Sequence, residues 1–315
     1  MISKLKRTLG IMAMKAAPHA LKDSVISRFP ALTYFAGPED HEISFKHPLY
    51  GSVRFMLNPA YTIEGMLMYN HEYDVKTTSY FQRLIVPGDV CLDVGANIGA
   101  MTIPIAKCAG PNGRVIAFEP GPLLFERLQH NLRLNHSVTG CVKAINSGVS
   151  DKPGQMGWRM DESNPGNAFL VDPDSGTVTV PVSTIDKEVH DLDRVDFIKI
   201  DVEGMEYQAL KGAERTLREF APTILFETWV VDRPEQVQKA VLFLLELGYG
   251  LFESDVPERR LKERGYQFDL MPTHYPSLPS NTVAIHERRQ CLLNATTTCT
   301  ASTSARFGPA SPTRR

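Results

Sequence analysis

The chain has 315 residues, 43% of them hydrophobic and 22% charged, with a formal charge of −2, a composition that suits one sizeable globular core plus an accessory region. A charge so near zero excludes the global basic field of nucleic-acid binders, and the absence of any run of about eighteen uninterrupted apolar residues excludes a membrane-spanning helix. The five cysteines include no C-x-x-C pair, so zinc and dithiol redox chemistry lack their ligands and a reducing cytoplasm is the expected compartment.

Residues 1 to about 30 set Leu5, Leu9, Met12 and Ala16 at helical spacing among lysines. This predicts a modest amphipathic helix that covers the body of the protein and touches a membrane at most peripherally. Lys15 cuts its apolar run, so a cleaved leader is not expected. Ile43, Phe45, Val53, Phe55 and Leu57 then alternate with polar residues around Pro48 to Ser52, the pattern of a β-hairpin. Together these make an accessory region over 1–68. From Tyr69 to Val86 a loop feeds a helix, and the turn Pro87-Gly88-Asp89 delivers the chain to the next strand.

The stretch Val90 to Gly99 is a short apolar run ending in an acid, Asp93, and the turn Gly95-Ala96-Asn97-Ile98-Gly99, followed by a helical pattern from Ile98 to Ala109. Strand, tight turn and helix start in this order bring glycine backbone and unpaired helix amides to one place, where a nucleotide-like ligand can approach. A dinucleotide fingerprint would need its last glycine at 100, which is Ala here, so NAD is disfavoured. Asp93 would repel a pyrophosphate but suits a ligand bearing an ammonium and a sulfonium, which is S-adenosylmethionine. The run Arg114 to Pro120 reads as the next strand, and Glu119, which ends it twenty residues past Gly99, stands where a carboxylate can accept the two hydroxyls of a ribose.

Further along, a helix is expected from about Pro122 to Asn135, a strand around Cys141 to Asn146, and a glycine-rich segment to Gly157. Gln155 to Met160 and Thr177 to Val182 look like the two strands of a hairpin inserted at the sheet's edge, around a loop from Asp161 to Gly176. Val195 to Gly204 predicts the next buried strand, Met205 to Phe220 a helix, and Thr223 to Glu227 another strand. A helix from about Glu235 to Leu247 precedes strands near Gly248 to Glu253 and Asn281 to His286. Alternating strands and helices imply a parallel α/β sheet of seven core strands. The Thr/Ser/Ala/Pro/Arg-rich residues 288–315 predict a disordered tail, leaving 69–287 as the catalytic domain. Two glycosylation sequons, at Asn135 and Asn294, are read as chance matches.

Pro87-Gly88-Asp89, Leu92-Asp93-Val94-Gly95-Ala96-Asn97-Ile98-Gly99, Ala117-Phe118-Glu119-Pro120, Lys199-Ile200-Asp201-Val202-Glu203-Gly204-Met205-Glu206 and Phe226-Glu227 together resemble the FkbM family of S-adenosylmethionine-dependent methyltransferases. The resemblance runs from about Glu72 to Glu227. It implies a class I, Rossmann-like sheet in the order 3-2-1-4-5-7-6 with strand 7 antiparallel, and O-methylation, often of sugar or polyketide hydroxyls. It also implies that Gly95, Ala96, Asn97 and Gly99 wrap the methionine part, that Asp93 orients it, and that Glu119 beside Pro120 holds the ribose. Glu72 takes the place of an acid that closes over the cofactor.

Methyl transfer is an in-line displacement that must align an acceptor and remove its proton. Asp201, Glu203 and Glu227, all at the carboxyl ends of predicted strands, and His274 in a candidate lid loop are therefore the catalytic candidates, the acids serving as a base or as ligands of a divalent cation such as magnesium. For Glu203, a charge-partner or capping role beside Lys199 is the stronger expectation. The Asp201-Val-Glu-Gly turn lacks the Pro-Pro-aromatic sequence of base N-methyltransferases, which argues against DNA. The expected protein is a cytoplasmic methyltransferase acting on a hydroxyl of a glycan or secondary metabolite. An NAD-dependent oxidoreductase and a non-catalytic Rossmann-like binding protein are the rivals.

Overall fold

The computed structural model describes residues 39–161, 164–228, 234–275 and 277–292. The predicted N-terminal helix and most of the predicted disordered tail lie outside these residues.

Strands β1 (His41–His47) and β2 (Gly51–Leu57) form the expected antiparallel hairpin, with His41 opposite Leu57 and His47 opposite Gly51. Alternation turns Phe45, Val53, Phe55 and Leu57 inward. Helix α1 (Thr62–Asn70), which the sequence reading missed, ends on His71 at φ 62°, and α2 (Val75–Leu84) starts where Asp74 accepts the Thr77 N–H at 3.0 Å.

The central alternation follows: β3 (Val90–Val94), α3 (Thr102–Ala109), β4 (Arg114–Phe118), α4 (Pro122–Leu134), the short α5 (His136–Thr139) and β5 (Val142–Ile145). After an insertion made of β6 (Gly148–Val149), β7 (Gly154–Asp161), β8 (Asn164–Val171), β9 (Val178–Ser183) and α6 (Ile185–Glu188), the chain returns as β10 (Phe197–Ile200). Helices α7 (Glu206–Lys211) and α8 (Glu214–Phe220) replace the single helix expected there. The break falls at Gly212, where a Cβ would come within 2.1 Å of the Ser150 carbonyl oxygen. β11 (Thr223–Glu227), α9 (Pro234–Glu246), β12 (Tyr249–Ser254), α10 (Glu258–Leu261), β13 (Leu270–Pro272) and β14 (Asn281–His286) complete it.

Eight strands, in the order β13-β12-β14-β11-β10-β3-β4-β5, form the central sheet, where seven were expected; β13 is the addition, antiparallel to β12 at the edge. β14 runs antiparallel to both of its neighbours, and β11-β10-β3-β4-β5 are parallel. The apolar strands are buried on both faces. Leu92, Val94, Ile116, Ile198, Ile200 and Phe226 pack toward α7, α8 and α9, while Cys91, Val115, Phe197 and Leu225 pack toward α2 and α3. This two-sided burial is why no polar alternation appears in these runs.

The inserted strands are not a hairpin at the edge of this sheet. They form a separate four-stranded sheet in the order β6-β9-β7-β8, and β8 occupies what was read as a loop. Its inward residues Trp158, Leu170, Val180 and Val182 share one buried cluster with the hairpin and with Leu124 and Leu128 of α4. Asn131 of α4 and Asn135, which caps its end, bind the β2 backbone, accepting from Met56 N–H at 2.8 Å and from Arg54 N–H at 3.1 Å. The accessory hairpin is thus fastened to the core, and Asn135, buried and bonded, is closed to glycosylation in the folded chain.

Residues Glu287–Leu292 form 3-10 turns on either side of a kink at Arg289. Within this segment, Arg288 donates to the carbonyls of Arg218 and Glu219, and Arg289 to those of Val195 and Phe220.

Candidate active site

A cleft opens beyond the carboxyl ends of β3, β4, β10 and β11, where an open α/β sheet places its ligands. Trp158 of β7, Phe169 and Leu170 of β8, and Tyr73, Thr77 and Asn281 also line it. Gly95, Ala96, Asn97, Glu119, Pro120, Asp201, Glu203 and Glu227 of the predicted site line it together.

The glycine turn is held from within. Gly95 and Ala96 donate their N–H groups to the Phe118 carbonyl at 3.1 and 2.9 Å, and Gly99 donates to the Ala96 carbonyl at 2.9 Å. Asn97 N–H bonds Glu119 Oε2 and Ile98 N–H bonds Asn97 Oδ1, both at 2.8 Å. All five amides from 95 to 99 are therefore taken, so this turn is not the open anion cradle its sequence suggests, and a pyrophosphate finds no donor among them. Gly95, at φ 82°, has to be glycine because a Cβ would lie 1.9 Å from the Asp201 carbonyl oxygen. Gly99 does not reach the cleft; a Cβ there would sit 2.9 Å from Leu128 Cδ1, so its glycine makes room for α4.

Glu119 is 3% exposed, and its carboxylate is fixed by two backbone amides, Asn97 N–H on Oε2 and Gly121 N–H on Oε1, each at 2.8 Å. Burial pushes it up to about 7 against the opposing pull of those amides and of Lys199. Each oxygen keeps a lone pair for a further donor. Gly121 lets the Trp158 indole close on this carboxylate, since a Cβ there would lie 2.7 Å from the ring.

Asp93 is not at the ligand surface. It is wholly buried beneath the turn, accepting from Thr102 Oγ1 at 2.6 Å and pairing with Lys199 Nζ at 3.2 Å. Lys199, which the sequence reading treated only as a neighbour, is the hub here: its ammonium donates to the Gly95 carbonyl at 2.8 Å and lies 3.6 Å from Asp201. Burial would lower its pKa, but the charges of Asp93 and Asp201 prevail and hold it above its ordinary value.

Asp201 follows β10 and stands beside Glu227, which ends β11, because Ile200 pairs with Phe226. The turn after Asp201 carries Glu203 at φ 52° and Gly204 at φ 93°, and Glu206 stabilises it by accepting from the Val202 and Gly204 amides at 3.1 and 3.2 Å. That capping role of Glu206 was not foreseen. Glu203 is exposed at the mouth, where partial enclosure by the cleft and the charges of Asp201 and Glu206 raise it to about 7. Burial, then the charges of Asp201, Glu203 and Glu206, push Glu227 well above the usual carboxylate range. Among the described residues no three His, Cys, Asp or Glu side chains converge as metal ligands, so the divalent-cation expectation is not carried further.

Besides Asp93 and Gly99, two more predicted residues lie outside the cleft lining. Glu72 is buried outside the cleft, bound by His47 Nε2 at 3.3 Å, Thr78 Oγ1 at 2.9 Å and Lys262 Nζ at 2.6 Å. These contacts tie the hairpin to α2 and to the residue after α10. His274 is exposed, away from the cleft lining.

A mixed, largely parallel sheet with a glycine turn and spaced carboxylates at its carboxyl end defines a Rossmann-like enzyme architecture. Residues 93–251, half of the chain, match the family model for the methyltransferase FkbM domain, and the chain belongs to the FkbM methyltransferase family. It is 30% identical over 188 residues to methyltransferase sdnD of Sordaria araneosa, covering 49% of this chain and 71% of that protein. It is also 30% identical over 132 residues to the hexuronic acid methyltransferase AglP of Haloferax volcanii, covering 41% of this chain and 52% of that protein. The crystal structure of methyltransferase FkbM from Methylobacillus flagellatus KT superposes with a TM-score of 0.43 at 17% identity, over 71% of this chain and 53% of that one. Among the described residues no helix is long and apolar enough to cross a membrane.

Proposed function

We propose that this protein is an S-adenosylmethionine-dependent O-methyltransferase acting on a hydroxyl of a glycan or secondary metabolite. The observation that carries the reading is the pairing of a turn without a free amide and a carboxylate, Glu119, pre-set by two amides at the end of β4. Such a site accepts hydroxyl donors and favours a cation, which fits a ribose and a sulfonium better than a pyrophosphate. Ala96 and Asn97 flank the methionine portion, Glu119 receives the ribose hydroxyls, and Trp158 with Leu170 excludes water above them. When bound, S-adenosylmethionine supplies an electrophilic methyl on a positively charged sulfur. Asp201 and Glu227 meet the acceptor end, with Asp201 anchored by Lys199.

A glycan acceptor is in keeping with the hexuronic acid methyltransferase among the relatives. The free thiols of Cys91, Cys108 and Cys141 suit a cytoplasmic location. Calorimetry decides the cofactor: S-adenosylmethionine and its demethylated product should bind and NAD should not, and NAD binding alone would sink the reading. Transfer of isotope from methyl-labelled S-adenosylmethionine to base-stable ethers in a glycan and metabolite extract tests the acceptor class. Label found only in amines or esters would remove the O-ether assignment.

A further inference from the structure

The carboxylates at the acceptor end differ in what already holds them. Asp201 is anchored to Lys199, Glu206 is bonded to the Val202 and Gly204 amides, and Glu203 stands exposed at the mouth. Glu227 alone among these four combines a place in the cleft lining with a buried oxygen, Oε2, that has no hydrogen-bond partner among the described residues. Nor, among the described residues, is a cation left to neutralise it, since Lys199 is engaged by Asp93, Asp201 and the Gly95 carbonyl.

We propose that Glu227 is the proton acceptor of the methyl transfer, and that its proton follows the charge on the cofactor's sulfur: off while the sulfur is a sulfonium, on once the sulfur is neutral. The inference rests on the methyltransferase reading above. Among the described residues the groups bearing on Glu227 are Asp201, Glu203, Glu206 and Lys199 from β10 and the elements after it, and Tyr73 from the segment before α2. From β14 the uncharged Asn281 pairs opposite it. The negative groups outnumber the one ammonium, so an added cation favours the ionised carboxyl and loss of that cation favours proton uptake. The elevated pKa of Glu227 has the sign this requires.

The step balances inside the cleft. A lone pair of the acceptor oxygen forms the bond to the methyl carbon, the sulfur keeps the electron pair of the broken carbon–sulfur bond, and the hydroxyl proton passes to Glu227. One positive charge on sulfur and one negative charge on the carboxylate disappear together, and the proton leaves to solvent before the next cycle.

The test compares S-adenosylmethionine with S-adenosylhomocysteine, which share the amino acid and nucleoside and differ in the charge on sulfur. Full-length protein is titrated with each by calorimetry from pH 6 to 9, in two buffers of different ionisation enthalpy to count protons. S-adenosylmethionine binding should release up to one proton more than S-adenosylhomocysteine binding. Its affinity should also rise with pH by up to about tenfold per unit relative to the product, levelling off above the Glu227 titration. Glu227→Gln should abolish the difference, and Glu227→Ala should do the same if the amide variant does not fold. Equal proton counts and parallel pH profiles for the two ligands overturn the proposal, as does a difference that survives in the variants. If neither ligand binds at any pH, the cofactor reading itself falls, and this inference with it.

Discussion

Replacing Lys199 with methionine keeps most of the side chain's volume and removes the ammonium. In the native protein that ammonium is 3.2 Å from Asp93 and 3.6 Å from Asp201, and it donates to the Gly95 carbonyl at 2.8 Å. At an effective dielectric constant of about 20, each charge pair amounts to about 5 kcal/mol of attraction, much of which offsets the desolvation of the ions themselves. The decisive term is what the variant leaves behind. Asp93 has no exposed surface and keeps only the Thr102 hydroxyl, so the expected loss is that of an uncompensated buried charge, about 3–5 kcal/mol. Urea unfolding followed by circular dichroism measures it. Lys199→Met combined with Asp93→Asn removes both charges and should regain about 2 kcal/mol or more over the single variant. A single variant less than about 1 kcal/mol below wild type, or a double variant no more stable than the single, would refute the reasoning.

Four further outcomes are expected. Gly95→Ala should lose more than about 3 kcal/mol of stability, because its Cβ would strike the Asp201 backbone at a positive φ; a near-native melting curve would show that the two strand ends can separate. Glu119→Ala should weaken S-adenosylmethionine binding by about 1–3 kcal/mol in calorimetry. Because Glu119 sits at about 7 in the folded protein, above its unfolded value, it destabilises the fold as pH rises from about 4.5 to 7. Over that window wild type should therefore lose stability relative to Glu119→Gln, and an unchanged difference between the two denaturation profiles would count against the buried ionisation. Arg289→Ala should lower stability by about 1 kcal/mol, since Arg289 ties the chain after β14 to the Val195 and Phe220 carbonyls; an unaltered urea midpoint would mean the segment does not dock.

The sequence by itself determined the elements whose signals are local. The run Val90 to Val94, the turn to Gly99 and the acid at 119 are legible because a two-sided buried strand must be apolar throughout and a tight turn must contain glycine. Glu119, Asp201, Glu203 and Glu227 come together in the cleft because strands of a parallel sheet bring their carboxyl ends to one edge. β8 was hidden because its first half, Asn164 to Asn167, is rich in turn-forming residues and acquires its strand only by pairing with β7.

What only the tertiary structure decided is the partner of each polar group. Spacing places Asp93 and Glu119 at neighbouring strand ends, but packing sends the first beneath the turn to Lys199 and Thr102 and leaves the second at the cleft, closed over by Trp158. The glycine at 99 reads as a ligand contact until Leu128 of α4 is seen against it. The turn's amides look open until Phe118 and Glu119 arrive from the next strand to bind them. Glu72 finds His47 and Lys262 on segments far apart in the chain. For Gly99 the reason is steric room for α4; for the charges and amides it is that a buried polar group is stable only against a counterpart, which only folding brings to it.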